Sequence, residues 1–292
     1  MQHKEQRTGH NKKNTEVKYR RAVVTFLDIL GFGNLVKKGT AKDVAAVLSA
    51  ISKFALTEDS DEFDETSAFS VGFSDSIVRV RFLDGANERY STGHVLNEIL
   101  DLCHIQGELI PYDVIIRGGI TVGDIYLKNR TIFGPAMVRA YELESKAAIY
   151  PRVVIDPVVL NSVRIDPLLR RQGNNGDEEI SAIRKLIDRG DSGLWFVDYL
   201  RTIFGELDDP DLWPEVLESH KRLVIKRYAE KDSRTSYLDK LLWLAIYHNK
   251  VVSEIPDEAF LACGVKRSSF ELKTKEIPEL ARMPKRTPAF NE

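Results

Sequence analysis

The sequence predicts an α+β domain followed by a mainly helical C-terminal extension. Short apolar runs of strand type alternate with amphipathic runs of helical period over residues 21–200. These runs follow the order β-α-β-β-α-β-α-β, which is typical of an antiparallel-rich sheet with helices on one face. Residues 201–292 have a mainly helical pattern, whereas residues 1–20 are polar with an excess of basic side chains and predict a flexible tail.

Each predicted element has its own local signal. The run RAVVTFLDIL is apolar enough for a fully buried strand, and SAFSVGFSDSIVRVRF reads as two strands around a tight turn. Pro135 stands where the first turn of a helix tolerates proline. The predicted elements are strands at 21–30, within 67–82 (two), within 114–127 (two), at 152–160 and at 193–200, and helices at 41–56, 94–110 and 133–150. This order corresponds to a ferredoxin-like arrangement.

Bulk composition excludes several classes of protein. The chain has 292 residues, 43% hydrophobic and 29% charged, which is an ordinary globular mixture. A net charge of -2 gives no electrostatic footprint for nucleic acid. No run approaches the ~20 apolar residues that span a bilayer, and the N-terminus lacks the apolar region of a secretory signal. Cys103 and Cys263 lie far apart, which fits a reducing compartment, so we expect a cytoplasmic protein without membrane or nucleic-acid partners.

Two aspartates occur in the same unusual context, an apolar strand that meets a turn of small residues. They are Asp28 in FLDILGFGNLV and Asp75 in VGFSDSIV. If the first strand and the hairpin are neighbours in the sheet, both carboxylates can reach one point. Two buried like charges are unfavourable side by side, and a divalent cation removes that penalty. Carboxylate oxygens with a backbone carbonyl suit Mg²⁺ or Mn²⁺.

A simpler interpretation remains open for each aspartate. Asp often caps its own turn through local hydrogen bonds to the backbone. The LGFG turn, Leu30 to Gly33, is weak evidence alone because it lacks the Lys and Ser/Thr of a phosphate-binding loop. Its exposed backbone N–H groups could nevertheless hold a triphosphate beside a metal.

Four blocks, in this order and spacing, resemble the catalytic domain of class III nucleotide cyclases, and more narrowly the bacterial pyrimidine cyclases of Pycsar anti-phage defence. The blocks are FLDILGFGNLV, VGFSDSIV, IRGGITVGDIY and FGPAMVRAYELESKAAIYPRVVID. The resemblance covers residues 21–160 and extends to the strand at 193–200. It implies a ferredoxin-like core, a head-to-tail homodimer with composite active sites, and cyclisation of a nucleoside triphosphate with release of pyrophosphate. It also implies two divalent cations per site, Mn²⁺ or Mg²⁺.

The resemblance also implies roles for individual residues. The two metal-binding aspartates fall on Asp28 and Asp75, and the carbonyl that helps bind the second metal falls on Ile29. The phosphates are expected to contact the backbone N–H groups of the turn. These belong to Leu30, Gly31, Phe32 and Gly33.

Two positions depart from purine-specific relatives of the family. The base-reading position four residues before the second metal aspartate is Val71, which can neither donate nor accept a hydrogen bond. The second such position, three residues before Gly134, is Thr131. A purine edge would be left unpaired, which is costly, so we expect a pyrimidine substrate. Thr131 can serve either uracil or cytosine, and we favour UTP over CTP.

The helix after Gly134 departs further, because Val138 and Glu142 stand where the family usually has Asn and Arg. Arg139 and Lys146 are the positive charges closest to those positions. Either could reach the phosphates from the partner subunit as a replacement. Alternatively, both form only surface ion pairs, for instance with Glu142.

Three hypotheses therefore remain open. The first is a pyrimidine cyclase that converts UTP to 3′,5′-cyclic UMP, or CTP to cyclic CMP, and whose product activates a separate effector protein during phage infection. The second is an adenylate or guanylate cyclase with base contacts elsewhere in the chain. The third is a non-catalytic nucleotide-binding dimerisation module.

Overall fold

The computed structural model describes residues 17–55, 69–84, 93–128, 131–190, 193–207, 209–230 and 235–282. Most of the predicted flexible tail, residues 1–16, lies outside this part of the chain.

The described strands form one sheet with mixed but mainly antiparallel pairing. In chain order they are β1 Arg20–Ile29, β2 Phe69–Phe73, β3 Ser76–Phe82, β4 Ile116–Lys128, β5 Thr131–Phe133, β6 Val153–Ile155, β7 Ile187–Arg189 and β8 Trp195–Val197. The spatial order is β2-β3-β1-β4-β6-β8-β7, with β5 paired to the far end of β4. β4 and β6 pair in parallel, and the other recorded pairs are antiparallel. The predicted α+β class and the antiparallel-rich sheet are confirmed.

Helices account for most of the remaining described chain. They are α1 Phe32–Lys38, α2 Ala41–Ala55, α3 His94–Leu109, α4 Pro135–Glu142, α5 Pro157–Ile165, α6 Gly176–Arg184, α7 Tyr199–Thr202, α8 Trp213–Ala229, α9 Thr235–Glu254, α10 Asp257–Ala262 and α11 Arg267–Phe270. A π-helical turn, Leu143–Ala147, continues α4. No helix among the described residues is long and apolar enough to cross a bilayer.

The central strand β1 is covered on both faces. Its residues alternate between them, as strand geometry requires. Val23, Leu27 and Ile29 belong to the main core, which also contains the buried side chains of α3. Ala22 and Phe26 belong to a smaller cluster with α4. Continuous burial on two faces explains why residues 22–27 of β1 are apolar apart from Thr25, which donates to Glu98.

A buried ionic network fastens α3 to the sheet. Glu98 of α3 is 1% exposed and accepts hydrogen bonds from Thr25, Arg79 and Arg81, at 2.8, 2.9 and 2.8 Å. Burial raises the pKa of Glu98, but the two guanidinium groups outweigh it and lower the pKa to about 2. Asp101, one helical turn further on, also pairs with both arginines. The network holds α3 against β1 and β3.

Glycines in β4 allow α4 to approach the opposite face closely. A Cβ atom at Gly119 would lie 2.3 Å from Leu143 Cβ and 2.9 Å from the carbonyl oxygen of Ala140. A Cβ atom at Gly123 would lie 3.3 Å from Ala136 Cβ. These glycines therefore serve helix packing within one long strand. The prediction of two strands over 114–127 is wrong for this reason.

Two further predictions need correction. The strand predicted at 152–160 ends at Ile155, because Asp156 caps α5 by accepting from the Val158 N–H, and Pro157 occupies its first turn. The sequence predicts no helix over the polar segment 170–179, yet α6 begins within it at Gly176. Asn175 and Glu178 form a reciprocal capping box there.

The C-terminal helices share the core of the sheet domain. Side chains of α8 and α9, among them Val224 and Leu241, belong to the same buried cluster as Ile99 of α3. The boundary predicted between residues 200 and 201 falls inside α7. The extension is thus packed into the fold along its length.

Candidate active site

Asp28 lies near the end of β1, between two partner strands. It is opposite Ser76 of β3 and Arg117 of β4. The alternation of β1 places Asp28 on the same face as Phe26, which packs edge-on against Tyr141 of α4 at 5.5 Å. The Asp28 side chain is 19% exposed. The Asp28 carboxylate therefore lies at the end of β1, at the edge of the sheet face that α4 covers, and not inside the core. We call this edge the rim.

Asp75 reaches the same rim from the β2–β3 hairpin. Ser74 and Asp75 form its turn, with Ser74 at φ 58°. The Ile29 N–H donates to the carbonyl oxygen of Asp75 at 3.1 Å, which joins the turn to the end of β1. The charge of Asp75 raises the pKa of Asp28. The two predicted aspartates are therefore brought into electrostatic contact.

Arg117 links Asp28 to a second carboxylate that the sequence did not reveal. Its Nη2 atom lies 3.2 Å from Asp28 Oδ2 and 2.5 Å from Glu144 Oε1. Burial raises the pKa of Asp28, Arg117 opposes this, and Asp75 adds to it. The pKa of Glu144 is also raised, chiefly by burial, with Asp28 and Asp75 acting in the same direction. The site carries more negative charge than Arg117 alone compensates.

The donor set fits a hard divalent cation bound partly by the protein. Mg²⁺ is commonly held by one or two carboxylates while water and phosphate oxygens complete its coordination. Asp28 and Asp75 supply two such carboxylates, and Ile29 at the end of β1 is the adjacent backbone residue. Within the described residues no group of three or more His, Cys, Asp or Glu side chains is arranged to enclose a metal ion. Asp28 and Asp75 would therefore hold an ion that shares its ligands with substrate.

The predicted glycine turn is a sharp reversal that begins a helix. Gly31 adopts φ +84°, the left-handed region that favours glycine, and α1 starts at Phe32. The Leu30 N–H donates to the carbonyl oxygen of Ile115 at 2.8 Å, so this group is already engaged in the sheet. Gly33 is exposed, whereas Phe32 is buried. Of the four predicted phosphate contacts, Leu30 is therefore one whose N–H is not available to a phosphate in this arrangement.

The structure does not bring the two base-reading candidates together within one chain. Val71 is 5% exposed in β2, opposite Val78, so its side chain is closed to a ligand in this arrangement. Thr131 is exposed in β5 and pairs with Lys128 at the far end of β4. Asp28 pairs with Arg117 of β4, which stands eleven residues before Lys128. Asp28 and Thr131 are therefore about 37 Å apart along the strand.

The two positively charged side chains predicted to reach the phosphates, Arg139 and Lys146, have partners within the chain. Arg139 forms a bidentate pair with Asp156, at 2.6 and 3.1 Å, and Thr121 donates to the same carboxylate at 2.9 Å. Lys146 lies 2.9 Å from Glu142 and its side chain is 72% exposed. The structure thus places both in ion pairs, as the alternative interpretation of the sequence describes.

Three charged residues that contribute to the site were not among the predicted site residues. Arg117 was visible as a charge before two glycines in a strand, and Glu144 as an acid in a helical run that proved buried. Lys240 of α9 is the third. Its charge lowers the pKa of Asp28 and of Glu144 against the larger effect of burial. The only sequence signal for Lys240 is a lysine inside the apolar helix YLDKLLWLAIY.

Comparison with known proteins gives only distant similarities. No family model and no curated protein matches the sequence. The catalytic core of a rhodopsin-guanylyl cyclase with converted specificity, solved with ATPalphaS, has 15% identity and a TM-score of 0.38 and covers 62% of this chain and 96% of its own. A bacterial light-regulated adenylyl cyclase has 13% identity and a TM-score of 0.34, covering 59% and 58%. A class III adenylyl cyclase-like ATP-binding protein from Pseudomonas aeruginosa has 10% identity and a TM-score of 0.32, covering 58% and 41%.

The chain therefore spans less than two thirds of the second and third of these structures. TM-scores of 0.32 to 0.38 are too low to transfer fold or activity.

Proposed function

We propose that this protein is a pyrimidine nucleotide cyclase that converts UTP to 3′,5′-cyclic UMP and pyrophosphate. The observation that carries the proposal is the convergence of Asp28 and Asp75 at one rim of the sheet. The sequence pattern required this convergence for a metal site. The charge of Asp75 raises the pKa of Asp28, a repulsion that a divalent cation would relieve.

The reaction forms a bond between the ribose 3′-oxygen and the α-phosphorus and breaks the bond from that phosphorus to the β-bridging oxygen. The 3′-hydroxyl proton passes to solvent water and pyrophosphate leaves. Two divalent cations, Mn²⁺ or Mg²⁺, would supply charge stabilisation at the attacking and leaving oxygens. Asp28 and Asp75 would hold these ions with help from the Ile29 carbonyl, and the N–H groups of Gly31, Phe32 and Gly33 would bind the phosphates. Arg117 holds Asp28 in position.

The pyrimidine preference is carried over from the two positions that the resemblance assigns to base reading, and Val71, which is buried within one chain, would have to be uncovered to meet a base. Val71 has no polar atom, and Thr131 has one hydroxyl that donates or accepts. A purine would leave polar edge atoms unpaired, so UTP, or CTP as the alternative pyrimidine, is favoured. The cyclic nucleotide product would act as a second messenger that activates an effector protein in anti-phage defence.

A head-to-tail homodimer would complete the site. Thr131 lies about 37 Å from Asp28 along β4, so a partner's copy would have to supply it. Exposed apolar side chains on β5 and α4 support such contact: Phe133, Val138 and Tyr141 are 42%, 60% and 51% exposed. In a dimer Arg139, held by Asp156, and Lys146 would face the partner's phosphates.

The test is incubation of the purified protein with each of the four ribonucleoside triphosphates and Mn²⁺ or Mg²⁺, followed by chromatography of the products. Cyclic UMP is expected from the wild type, and Asp28→Asn and Asp75→Asn should each lower its rate at least 100-fold while the unfolding temperature is kept. Arg164→Gln, which changes an exposed ion pair with Asp177, is the matched control.

The outcomes separate the hypotheses. A strong preference for ATP or GTP would establish a purine cyclase and overturn the pyrimidine assignment. Nucleotide binding without any product would establish a non-catalytic module. Full activity of either aspartate variant would show that the metal ions bind elsewhere.

A further inference from the structure

Helix α9 of the C-terminal extension crosses the same face of the sheet that carries Asp28. One row of paired residues runs across four strands on this face: Phe26, Gly119, Val154 and Phe196. The indole of Trp243 on α9 packs edge-on against Phe196 with ring centroids 5.6 Å apart. Because Asp28 lies two residues from Phe26 on β1, its side chain shares the face that α9 covers.

Trp243 also covers the adjacent row, which contains the candidate site. Arg152 stands two residues before Val154 and therefore shares its face. The Arg152 guanidinium lies 5.6 Å from the centre of the Trp243 ring. In this row Asp28 pairs with Arg117 on β4, and the Arg152 carbonyl accepts the N–H of Gly118 at 3.2 Å. The helix thus passes directly over the strand ends that form the site.

Two earlier residues of α9 extend this contact towards the glycine turn. Lys240 and Tyr237 precede Trp243 by three and six residues, so all three lie along one side of the helix. The Tyr237 hydroxyl lies 3.5 Å from the position that a Cβ atom would take at Gly31. Lys240 stands between these two contacts. Its location is therefore fixed over the segment that joins Asp28 to Gly31.

The Lys240 ammonium group is half-buried and has no counter-ion in hydrogen-bond contact. Among the residues that the structure describes, no carboxylate oxygen lies within 4.0 Å of its Nζ. Burial lowers the pKa of Lys240, and Arg117 lowers it further, while Asp28 and Glu144 act in the opposite direction. A partly desolvated ammonium without a contact partner is unfavourable unless an anion joins it. Phosphate oxygens are the usual partners of such a lysine.

We infer that Lys240 binds the β- or γ-phosphate of the nucleoside triphosphate, so that the C-terminal extension forms one wall of the active site. This inference rests on the proposed function for the location of the triphosphate. Tyr237 beside Gly31 bounds the wall on the side of the glycine turn. The alternative role of Lys240 is to offset the negative charge of Asp28 and Glu144 without touching substrate.

Binding measurements with ligands of different phosphate content distinguish the two roles. We would titrate the full-length protein with a non-cyclisable α,β-methylene analogue of UTP, with inorganic pyrophosphate and with UMP, all in the presence of Mn²⁺. Lys240→Met removes the charge and nearly keeps the side-chain volume, Lys240→Arg keeps the charge, and Lys185→Met is a matched change at the exposed end of α6. Thermal unfolding of each variant reports on folding.

If Lys240 binds phosphate, Lys240→Met should lower the affinity for the analogue and for pyrophosphate by about 10- to 100-fold. The affinity for UMP should change by less than about 2-fold. Lys240→Arg should recover most of the loss, and Lys185→Met should change nothing. An equal loss of affinity for all three ligands would show that Lys240 only positions Asp28. Unchanged affinities would show that Lys240 has no role in binding. Either result overturns the inference, as does failure of the wild type to bind the analogue or pyrophosphate.

The inference and the proposed function can fail separately. Cyclic UMP formation by the wild type, together with unchanged analogue binding by Lys240→Met, would refute only the role of Lys240. Selective loss of triphosphate binding in that variant, without product from the wild type, would refute only the cyclase activity.

Discussion

The guanidinium of Arg117 donates to a single oxygen of Asp28, Oδ2, from Nε at 3.3 Å and from Nη2 at 3.2 Å. The same Nη2 atom lies 2.5 Å from Glu144. One arginine therefore compensates two carboxylates, the partly exposed Asp28 and the buried Glu144, at the place where Asp28 would bind a cation. In the absence of metal it stabilises the site, and in the presence of metal its charge opposes the ion.

Replacement of Arg117 with Met should therefore have opposite effects with and without metal. Without metal, we expect the free energy of unfolding to fall by about 1–3 kcal/mol, because two carboxylates lose their partner. Titration with Mn²⁺ should then stabilise the variant more than the wild type, since binding to the folded state adds stability. Urea unfolding at several Mn²⁺ concentrations measures both effects, and equal Mn²⁺ stabilisation of the two proteins would contradict the prediction.

A second prediction concerns Gly119, over which α4 packs. In Gly119→Ala the new methyl group would lie 2.9 Å from a backbone atom, the Ala140 carbonyl oxygen, so side-chain rotation cannot relieve the contact. We expect a loss of about 1–3 kcal/mol in the free energy of unfolding. Gly205→Ala is the control, because nothing lies within 4 Å of its Cβ position. Similar stability of both variants would show that α4 moves away without cost.

These glycines also illustrate what the sequence could predict. Strong periodicity gave β1, α2, α3 and the β2–β3 hairpin nearly to the residue, since burial on a fixed face imposes it. A glycine in a strand has two opposite meanings, a turn or a close approach by another element. Only the position of α4 selects the second meaning for Gly119, so β4 was predicted as two strands.

The site shows the same limit. Asp28 and Asp75 stand out because a carboxylate breaks an apolar strand pattern, and their convergence follows from neighbouring strands. Glu144 and Lys240 occupy unremarkable helical positions. Their approach to Asp28 depends on how the π-helical turn and α9 pack on the sheet, which local pattern does not encode.

The buried network around Glu98 gives a third prediction. Arg79 and Arg81 lower the pKa of Glu98 from the usual 4.5 to about 2. The stability that the Glu98 carboxylate contributes is therefore fully present above pH 4.5. It is lost as the pH falls towards 2. Glu98→Gln imitates the protonated state and should lower the free energy of unfolding by about 3–5 kcal/mol at pH 7.

Urea denaturation measures this loss without screening the charges. The control is Asp84→Asn, which breaks an ion pair with Arg20 whose side chains are 38% and 57% exposed, and should cost less than about 1 kcal/mol. A loss for Glu98→Gln as small as that of the control would contradict a structural role for the network.

The last prediction concerns two fully buried histidines, His220 on α8 and His248 on α9, whose rings lie edge to edge in nearly the same plane. His248 Nε2 lies 2.8 Å from the carbonyl oxygen of Phe270, which only accepts, so Nε2 carries the proton. His248 Nδ1 must then accept from His220 Nδ1 at 2.9 Å, and His220 Nε2 accepts from the Tyr199 hydroxyl at 2.6 Å. The geometry fixes both tautomers, and both rings are neutral.

Burial, followed by the His248 charge, holds the pKa of His220 well below 6.5. Burial lowers the pKa of His248 to about 4. The hydrogen bond to the Phe270 carbonyl raises this pKa, and the charge of Lys221 lowers it. In the unfolded chain both histidines bind a proton below about pH 6.5, so the unfolded state binds more protons and the folded state loses stability as the pH falls. The slope for two histidines approaches about 2.7 kcal/mol per pH unit. His94, whose pKa burial and Arg81 also lower, acts in the same direction.

Nitrogen-15 NMR at pH 6 tests the two rings directly. We expect the Nε2–H tautomer for His248 and the Nδ1–H tautomer for His220, because only this pair of tautomers satisfies the Phe270 carbonyl and the facing Nδ1 atoms. His104, whose side chain is 48% exposed, serves as the internal reference. An imidazolium signal from His220 or His248 at pH 6 would contradict the hydrogen-bond chain, since protonation would set two donors against each other across 2.9 Å.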